Sequence, residues 1–126
     1  MAIPFDEARV RAALSNAWSL DTAVQWTAEN PASGQCNVTA AVVFDLFGGE
    51  IQRTRLPDAW HYYNRIDGVR MDLTDSQFSA PGAIHEAPDG YQDEITNRAT
   101  ALANIPDREY EALRTALLHE LGPSSS

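Results

Sequence analysis

The chain has 126 residues, of which 44% are hydrophobic, and this length predicts a single domain over residues 1–123 with a disordered tail over 124–126. Its 18 acidic residues outnumber the 9 basic ones, all of them arginine, so the formal net charge is −9. We therefore expect no nucleic-acid partner, because no basic surface is present to neutralise phosphates, whereas a basic protein partner would match this charge.

The sequence also bears on cellular location. No stretch approaches the roughly 20 apolar residues of a membrane-spanning helix, and the first residues lack the basic and apolar regions of a signal peptide. The single cysteine, Cys36, cannot form an internal disulfide, which agrees with a reducing compartment and leaves the thiol free. We expect a cytoplasmic protein without a membrane partner, and the sequence indicates no oligomeric state.

Two helices are predicted before the cysteine. The first spans about residues 7–18, has Asp6 as its N-cap and turns an apolar face toward the core. The second is short and spans about residues 21–28. Its inward-facing residues are expected to be Val24 and either Gln25 or Trp26.

Cys36 is predicted to lie in the first turn of a third helix, which follows a loop rich in helix breakers and ends near Phe47 at Gly48-Gly49. At a helix start, free backbone N–H groups and the positive end of the helix dipole favour a thiolate over a thiol. The alternative is a buried, inert cysteine that acts as a small hydrophobic residue.

Three strands are predicted after this helix, over about residues 50–56, 60–66 and 69–73. The last two are separated by Asp67-Gly68, which indicates a two-residue turn, since both positions of a type I′ turn need positive φ. With that turn, His61 and Asp72 lie on the same face of the sheet as diagonal neighbours. A three-residue turn would place them on opposite faces.

The remaining chain is predicted to be mostly helical. Thr74-Asp75-Ser76-Gln77 has the form of a capping box, which predicts a short helical turn with Phe78 buried. Residues 79–90 are expected to form a loop and about 92–104 a weak helix. A final helix is expected from Pro106 to Gly122, with an apolar stripe formed by Tyr110, Leu113, Leu117 and Leu121.

No metal ion or other cofactor is expected, because the four side chains best suited to bind one are not at metal-ligand spacings: Cys36, His61, His85 and His119. His85 and His119 are interpreted as surface residues. Three acidic residues are interpreted as a solvated face rather than a cation site: Asp89, Asp93 and Glu94.

Cys36, His61 and Asp72 supply the residue types of a cysteine catalytic triad. A thiolate is the nucleophile, an imidazole holds and returns the proton, and an acceptor fixes the imidazole tautomer. The helix N–H groups and one side-chain amide could stabilise an oxyanion, and the candidate amides are Gln35, Gln25 and Asn30. The candidates for lining a substrate pocket, each equally suited to the core, are Trp26, Trp60, Tyr62 and Tyr63.

Two triad members also have ordinary structural roles open to them. His61, next to two tyrosines, could be a half-buried sheet histidine. Asp72 could be a polar residue on an exposed strand or the acceptor for Arg70.

Several short motifs occur in one order between residues 18 and 78: Trp18-Ser19, Asn30-Pro31, Gly34-Gln35-Cys36, Thr39-Ala40, Gly48-Gly49-Glu50-Ile51, His61-Tyr62-Tyr63-Asn64 and Asp72-Leu73-Thr74 with Gln77-Phe78. In these motifs the chain resembles the YunG-like family of small bacterial proteins. The order of Cys, His and Asp is also similar to the papain-like superfamily, which includes transglutaminase-like enzymes. The resemblance implies Cys36 as nucleophile, His61 as base and Asp72 as orienting residue.

The sequence therefore predicts an α+β fold of papain-like minimal type, in which the nucleophile-bearing helix packs on an antiparallel sheet of about three to five strands with flanking helices. The expected function is that of a cysteine-dependent acyl-transfer enzyme, a hydrolase, amidase, deamidase or acyltransferase. It would form a thioester acyl-enzyme from a small-molecule or peptide amide, ester or thioester. The alternatives are a non-catalytic protein-binding module with an inert cysteine and, less favoured, a redox sensor.

Overall fold

A computed structural model describes residues 3–57, 59–83 and 86–122. The elements in chain order are α1 (Glu7–Ala17), α2 (Cys36–Phe47), β1 (Glu50–Arg55), β2 (Trp60–Ile66), β3 (Val69–Met71), a 3-10 turn (Asp75–Phe78), β4 (Glu94–Thr96), α3 (Arg98–Ala101) and α4 (Asp107–Leu121). The fold is α+β, as predicted. His85 and the serine tail lie outside the described residues, so their predicted surface position and disorder stay predictions.

Helix α1 begins where its sequence predicts. The Asp6 side chain accepts a hydrogen bond from the backbone N–H of Arg9 at 3.2 Å, which makes it the N-cap. Val10 and Leu14 are buried on the face that packs toward α4.

The prediction of a helix over residues 21–28 is wrong, because this segment forms successive turns. Ser19 and Thr22 explain the difference, since their hydroxyls bond nearby backbone groups that a helix would otherwise use. Val24, predicted to face inward, is 69% exposed. Gln25 is exposed as well, whereas Trp26 packs partly against the core.

Helix α2 is the central element of the core, and its predicted bounds are confirmed. It contacts the sheet through β1 and β2, and it also contacts α4. Asn64 of β2 ties the two layers together, because its side-chain amide donates to the carbonyl of Ala40 at 3.0 Å. Gly48 ends the helix with a φ of 84°, a conformation that glycine adopts without strain.

The sheet has four antiparallel strands in the order β3-β2-β1-β4. Strands β2 and β3 pair Ile66 with Val69 across the two-residue turn, which confirms the predicted register. Asp67 and Gly68 both have positive φ, 52° and 78° respectively. Strand β3 ends earlier than predicted, at Met71.

The prediction of a weak helix over residues 92–104 is also wrong in the first part of this range. Residues Glu94–Thr96 form β4, which pairs with the otherwise open edge of β1. Only α3 is helical, and Asn97 caps it by accepting from the N–H of Thr100. Pairing with β1 overrides the helical pattern here, because hydrogen bonding along an open sheet edge contributes more free energy than local helix propensity.

The predicted short helical turn is confirmed as a 3-10 turn over Asp75–Phe78, but the hydrogen bonds of a capping box do not form. The side chain of Gln77 turns back to the carbonyl and hydroxyl oxygens of Thr74, at 3.1 and 3.0 Å, and not to its N–H. As a result Gln77 is buried, while Phe78, predicted to be buried, is only half-buried. In α4 the predicted stripe is confirmed: Tyr110, Leu113 and Leu117 are buried, and Leu121 packs partly against the core.

Candidate functional site

Cys36 is the first residue of α2 and is partly buried. The preceding turn depends on Gly34, which has a φ of 73° and closely contacts Gln25: a β-carbon at Gly34 would lie 2.5 Å from Gln25 Oε1. Cys36 lines a cavity of about 400 Å³, and its thiol has the Asn37 side-chain oxygen at 3.3 Å. The thiol is therefore placed both at a helix N-terminus and at a space that a ligand could enter.

His61 and Asp72 form a buried pair. His61 Nε2 lies 2.7 Å from Asp72 Oδ2, and the two side chains are only 1% and 6% exposed. His61 lies on β2 and Asp72 directly follows β3, so the two-residue turn at Asp67 sets their common face. His61 is more deeply buried than the half-buried sheet histidine considered as an alternative, and Asp72 is neither exposed nor bonded to Arg70.

Cys36 and His61 line the same cavity, and Asp72 is paired with His61, so the three predicted triad residues lie in one region. Burial lowers the pKa of the His61 imidazole, but the hydrogen bond with Asp72 and the interaction with the neighbouring thiol of Cys36 outweigh it and raise the pKa to about 9. Because Nε2 faces Asp72, Nδ1 is the ring nitrogen left for the thiol.

Tyr91 is a fourth member of this arrangement, and no sequence pattern indicated it. Its hydroxyl donates to the same oxygen of Asp72 that His61 contacts, and burial raises the pKa of the Tyr91 phenol. Tyr91 lies in a loop, where no periodicity marks it, and it reaches Asp72 from 19 residues away. The guanidinium of Arg70 lies 4.4 Å above its ring.

The three acidic residues near β4 are exposed, as predicted, but two of them, Asp93 and Glu94, are paired with arginines. Asp93 accepts hydrogen bonds from Arg70 at 2.8 and 2.6 Å and from the Tyr63 hydroxyl at 2.6 Å. The bonds from Arg70 lower the pKa of Asp93 to about 2. Glu94 is paired with Arg53 at 2.6 Å, and only Asp89 is exposed without such a described pair.

Of the three amides considered for an oxyanion site, Gln25 alone lines the cavity. Gln35 is 0% exposed and its side-chain oxygen accepts from the hydroxyl of Thr22 at 2.8 Å. Asn30 is buried and donates to the carbonyl of Gln77 at 3.0 Å. Gln35 and Asn30 therefore support the loop before α2 and do not face the cavity.

Of the aromatic residues considered for a pocket, Trp60 alone lines the cavity. The guanidinium of Arg53 lies 3.9 Å from the centre of its ring. Three others lie elsewhere: Trp26 packs against the core, Tyr62 belongs to a second core cluster and Tyr63 contacts Asp93. The cavity wall also includes Glu109, an acidic residue in the first turn of α4.

Neither a metal site nor a membrane segment is found in the described parts of the chain. Within residues 3–57, 59–83 and 86–122, no group of three or more His, Cys, Asp or Glu side chains could hold a metal ion. His119 is exposed in the last turn of α4, as predicted. None of the helices in these ranges is long and apolar enough to cross a bilayer.

Comparison with known proteins finds a family that matches the chain along nearly its whole length. A family model described as YunG protein matches residues 6–122. A relative from Bacillus subtilis (strain 168), named "Uncharacterized protein YunG", is 38% identical over 116 residues, which are 92% of this chain and 95% of the relative. No solved structure matches the chain significantly. These names assign no chemical activity, so a function can be argued only from the geometry of the site.

Proposed function

We propose the function from the site geometry, because the chain belongs to the YunG family and its matched relative carries no assigned activity. The proposed function is that of a cysteine-dependent acyl-transfer enzyme with Cys36, His61 and Asp72 as its triad. The observation that carries it is the buried His61–Asp72 pair beside a helix-N-terminal thiol that opens into a cavity.

In the proposed reaction, the thiolate of Cys36 attacks the carbonyl carbon of an amide, ester or thioester and forms a new C–S bond. His61 donates its proton to the leaving amine, alcohol or thiol as the tetrahedral intermediate collapses to a thioester. Water or an amine then attacks the thioester carbonyl, His61 takes the proton of that nucleophile, and the thiolate leaves. Asp72 orients the ring and stabilises its positive charge.

Two donors are proposed for the oxyanion of the intermediates. The backbone N–H of Cys36 is free of an intrahelical partner because it opens α2. The second donor is the side chain of Gln25, since it lines the cavity and is held against Gly34. Trp60 forms another part of the wall.

The substrate class of the proposal is a small molecule or a short peptide, since a cavity of about 400 Å³ has no room for a long chain. The papain-like character of the fold belongs to the same proposal. It is supported by a helix that starts at the nucleophile and packs on antiparallel strands bearing the histidine. Hydrolysis, deamidation and transfer remain three outcomes of one mechanism, and a cytoplasmic location is part of the proposal.

The test is the rate at which iodoacetamide alkylates folded protein from about pH 4 to 9. We expect the wild type to react below neutral pH, because a protonated His61 beside the thiol stabilises the thiolate. His61→Ala should lose the reaction below neutral pH and keep it near pH 9, where an ordinary thiol ionises. Asp72→Asn should weaken it, since the imidazole then takes the wrong tautomer.

Unfolded wild-type protein is the control, because its thiol has no helix or imidazole beside it. A folded protein that reacts no faster than this control below neutral pH would contradict the enzyme proposal and favour a protein-binding module with an inert cysteine. A redox sensor would instead keep reversible oxidation of Cys36 in His61→Ala.

A further inference from the structure

The cavity beside Cys36 carries an acidic residue that the proposed triad does not use. Glu109 is the third residue of α4 and is the only acidic side chain among the described residues that line this cavity. The residues before it, Asn104, Ile105 and Pro106, complete the same wall. Cys36 and His61 reach the cavity from α2 and β2, so the acid and the triad lie on separate elements.

Glu109 is unusually buried for a charged residue without a partner. It is 8% exposed, and no ion pair or side-chain hydrogen bond joins it to any other described residue. Charged side chains are seldom buried to this extent unless they are paired. Asp72 is an example of a buried acidic side chain that is paired, since it is 6% exposed and contacts both His61 and Tyr91.

The described cations near the cavity are engaged elsewhere. The guanidinium groups of Arg53 and Arg55 lie 3.9 and 5.1 Å from the ring of Trp60, and neither residue lines the cavity. Arg108 lines a neighbouring groove together with Glu109, but it is exposed and makes no described ion pair with it. No positive charge among the described residues pairs with Glu109, and its carboxylate oxygens keep solvent access, so a cationic group of a ligand in the cavity could reach them.

We propose that Glu109 binds a cationic group of the substrate, an ammonium or guanidinium, while the substrate carbonyl faces Cys36. The substrate class is then a basic acyl compound, such as an ester, thioester or amide of a basic amino acid. This inference rests on the proposed acyl chemistry for its reaction, but the cation site itself does not depend on turnover. Gln25 and Asn104 are two further polar side chains of the wall that can bond such a ligand.

The experiment compares arginine and citrulline thioesters, which have nearly the same shape and differ in charge. We expect the wild type to prefer the arginine compound by about tenfold or more in kcat/KM. Glu109→Gln should abolish this preference by lowering kcat/KM for the arginine compound. The matched control is Glu111→Gln, an exposed residue of the same helix, which should keep the preference.

Binding to the Cys36→Ala variant separates this proposal from the acyl-transfer proposal. If arginine amide binds more tightly than citrulline amide and Glu109→Gln removes the difference, the cation site stands even where the wild type turns over neither thioester. Equal binding of the two amides would overturn the cation site. Equal loss of activity on both thioesters in a folded Glu109→Gln protein would also overturn it, since Glu109 would then serve only the N-terminus of α4.

Discussion

Asp72 is the side chain on which the geometry of the proposed triad depends, because its Oδ2 atom contacts both His61 and Tyr91. A carboxylate that receives two donors is held more firmly than one with a single partner, and the imidazole is oriented through it. Tyr91 is thus a positioning residue in the proposed mechanism, since its described contacts are with Asp72, the guanidinium of Arg70 and the surrounding aromatic rings.

Tyr91→Phe tests this role at the residue scale. It removes one donor from a charged, buried acceptor, so the free energy of unfolding should fall by about 1.5–3 kcal/mol in a urea titration. Alkylation of Cys36 below neutral pH should also slow, because His61 is less firmly oriented. Loss of stability with an unchanged alkylation profile would show that Tyr91 is only structural.

The control for this variant is Tyr62→Phe. The hydroxyl of Tyr62 has a longer contact, 3.4 Å from a guanidinium nitrogen of Arg53, and it does not touch the triad. Its removal should cost under about 1 kcal/mol and leave the alkylation profile as it is.

At the element scale, the turn before α2 determines where the thiol lies. Gly34 meets two requirements there, a positive φ and the close approach of Gln25. An alanine would satisfy neither, because a left-handed conformation is strained and the added carbon would overlap Gln25.

Gly34→Ala should therefore lower the free energy of unfolding by about 2–4 kcal/mol, which is more than the strained backbone alone would cost. Two glycines provide graded controls: Gly82 has a φ of 77° with open space around it, and Gly90 has open space and no positive φ. Gly82→Ala should cost about 1–2 kcal/mol and Gly90→Ala close to nothing. Equal costs at Gly34 and Gly82 would contradict the close approach of Gln25.

At the scale of the whole molecule, the pairing of a charged His61 with Asp72 makes stability depend on pH. The pKa of His61 is raised to about 9 in the folded state, above its ordinary value of 6.5. The folded state therefore holds this proton more tightly than the unfolded chain, and the resulting stabilisation is complete below about pH 6.5. It is lost progressively as the pH rises through about 9.

We expect the free energy of unfolding, measured in urea at a series of pH values, to fall by a few kcal/mol between about pH 6.5 and 9.5. His61→Gln should flatten this part of the profile, although its overall stability is lower. A wild-type profile that rises over the same range would show that His61 is neutral in the folded protein.

Local chemistry explains what the sequence determined by itself. Asp67-Gly68 specifies a two-residue turn through its own backbone preferences, and the period of the following strands then places His61 and Asp72 on one face. The start of α2 at Cys36 follows in the same way from a breaker-rich loop and a helical repeat. Each of these features depends on residues close together in the chain.

The tertiary structure decided what depends on distant partners. The edge of β1 recruits residues Glu94–Thr96 as a strand, and the hydroxyl of Tyr91 bonds Asp72 from 19 residues further along the chain. Packing between separate elements likewise decides that Gln25, and not Gln35 or Asn30, lines the cavity. It also buries Glu109 in the wall of that cavity. No local pattern encodes such contacts, because their free energy comes from burial and pairing that exist only once the chain is folded.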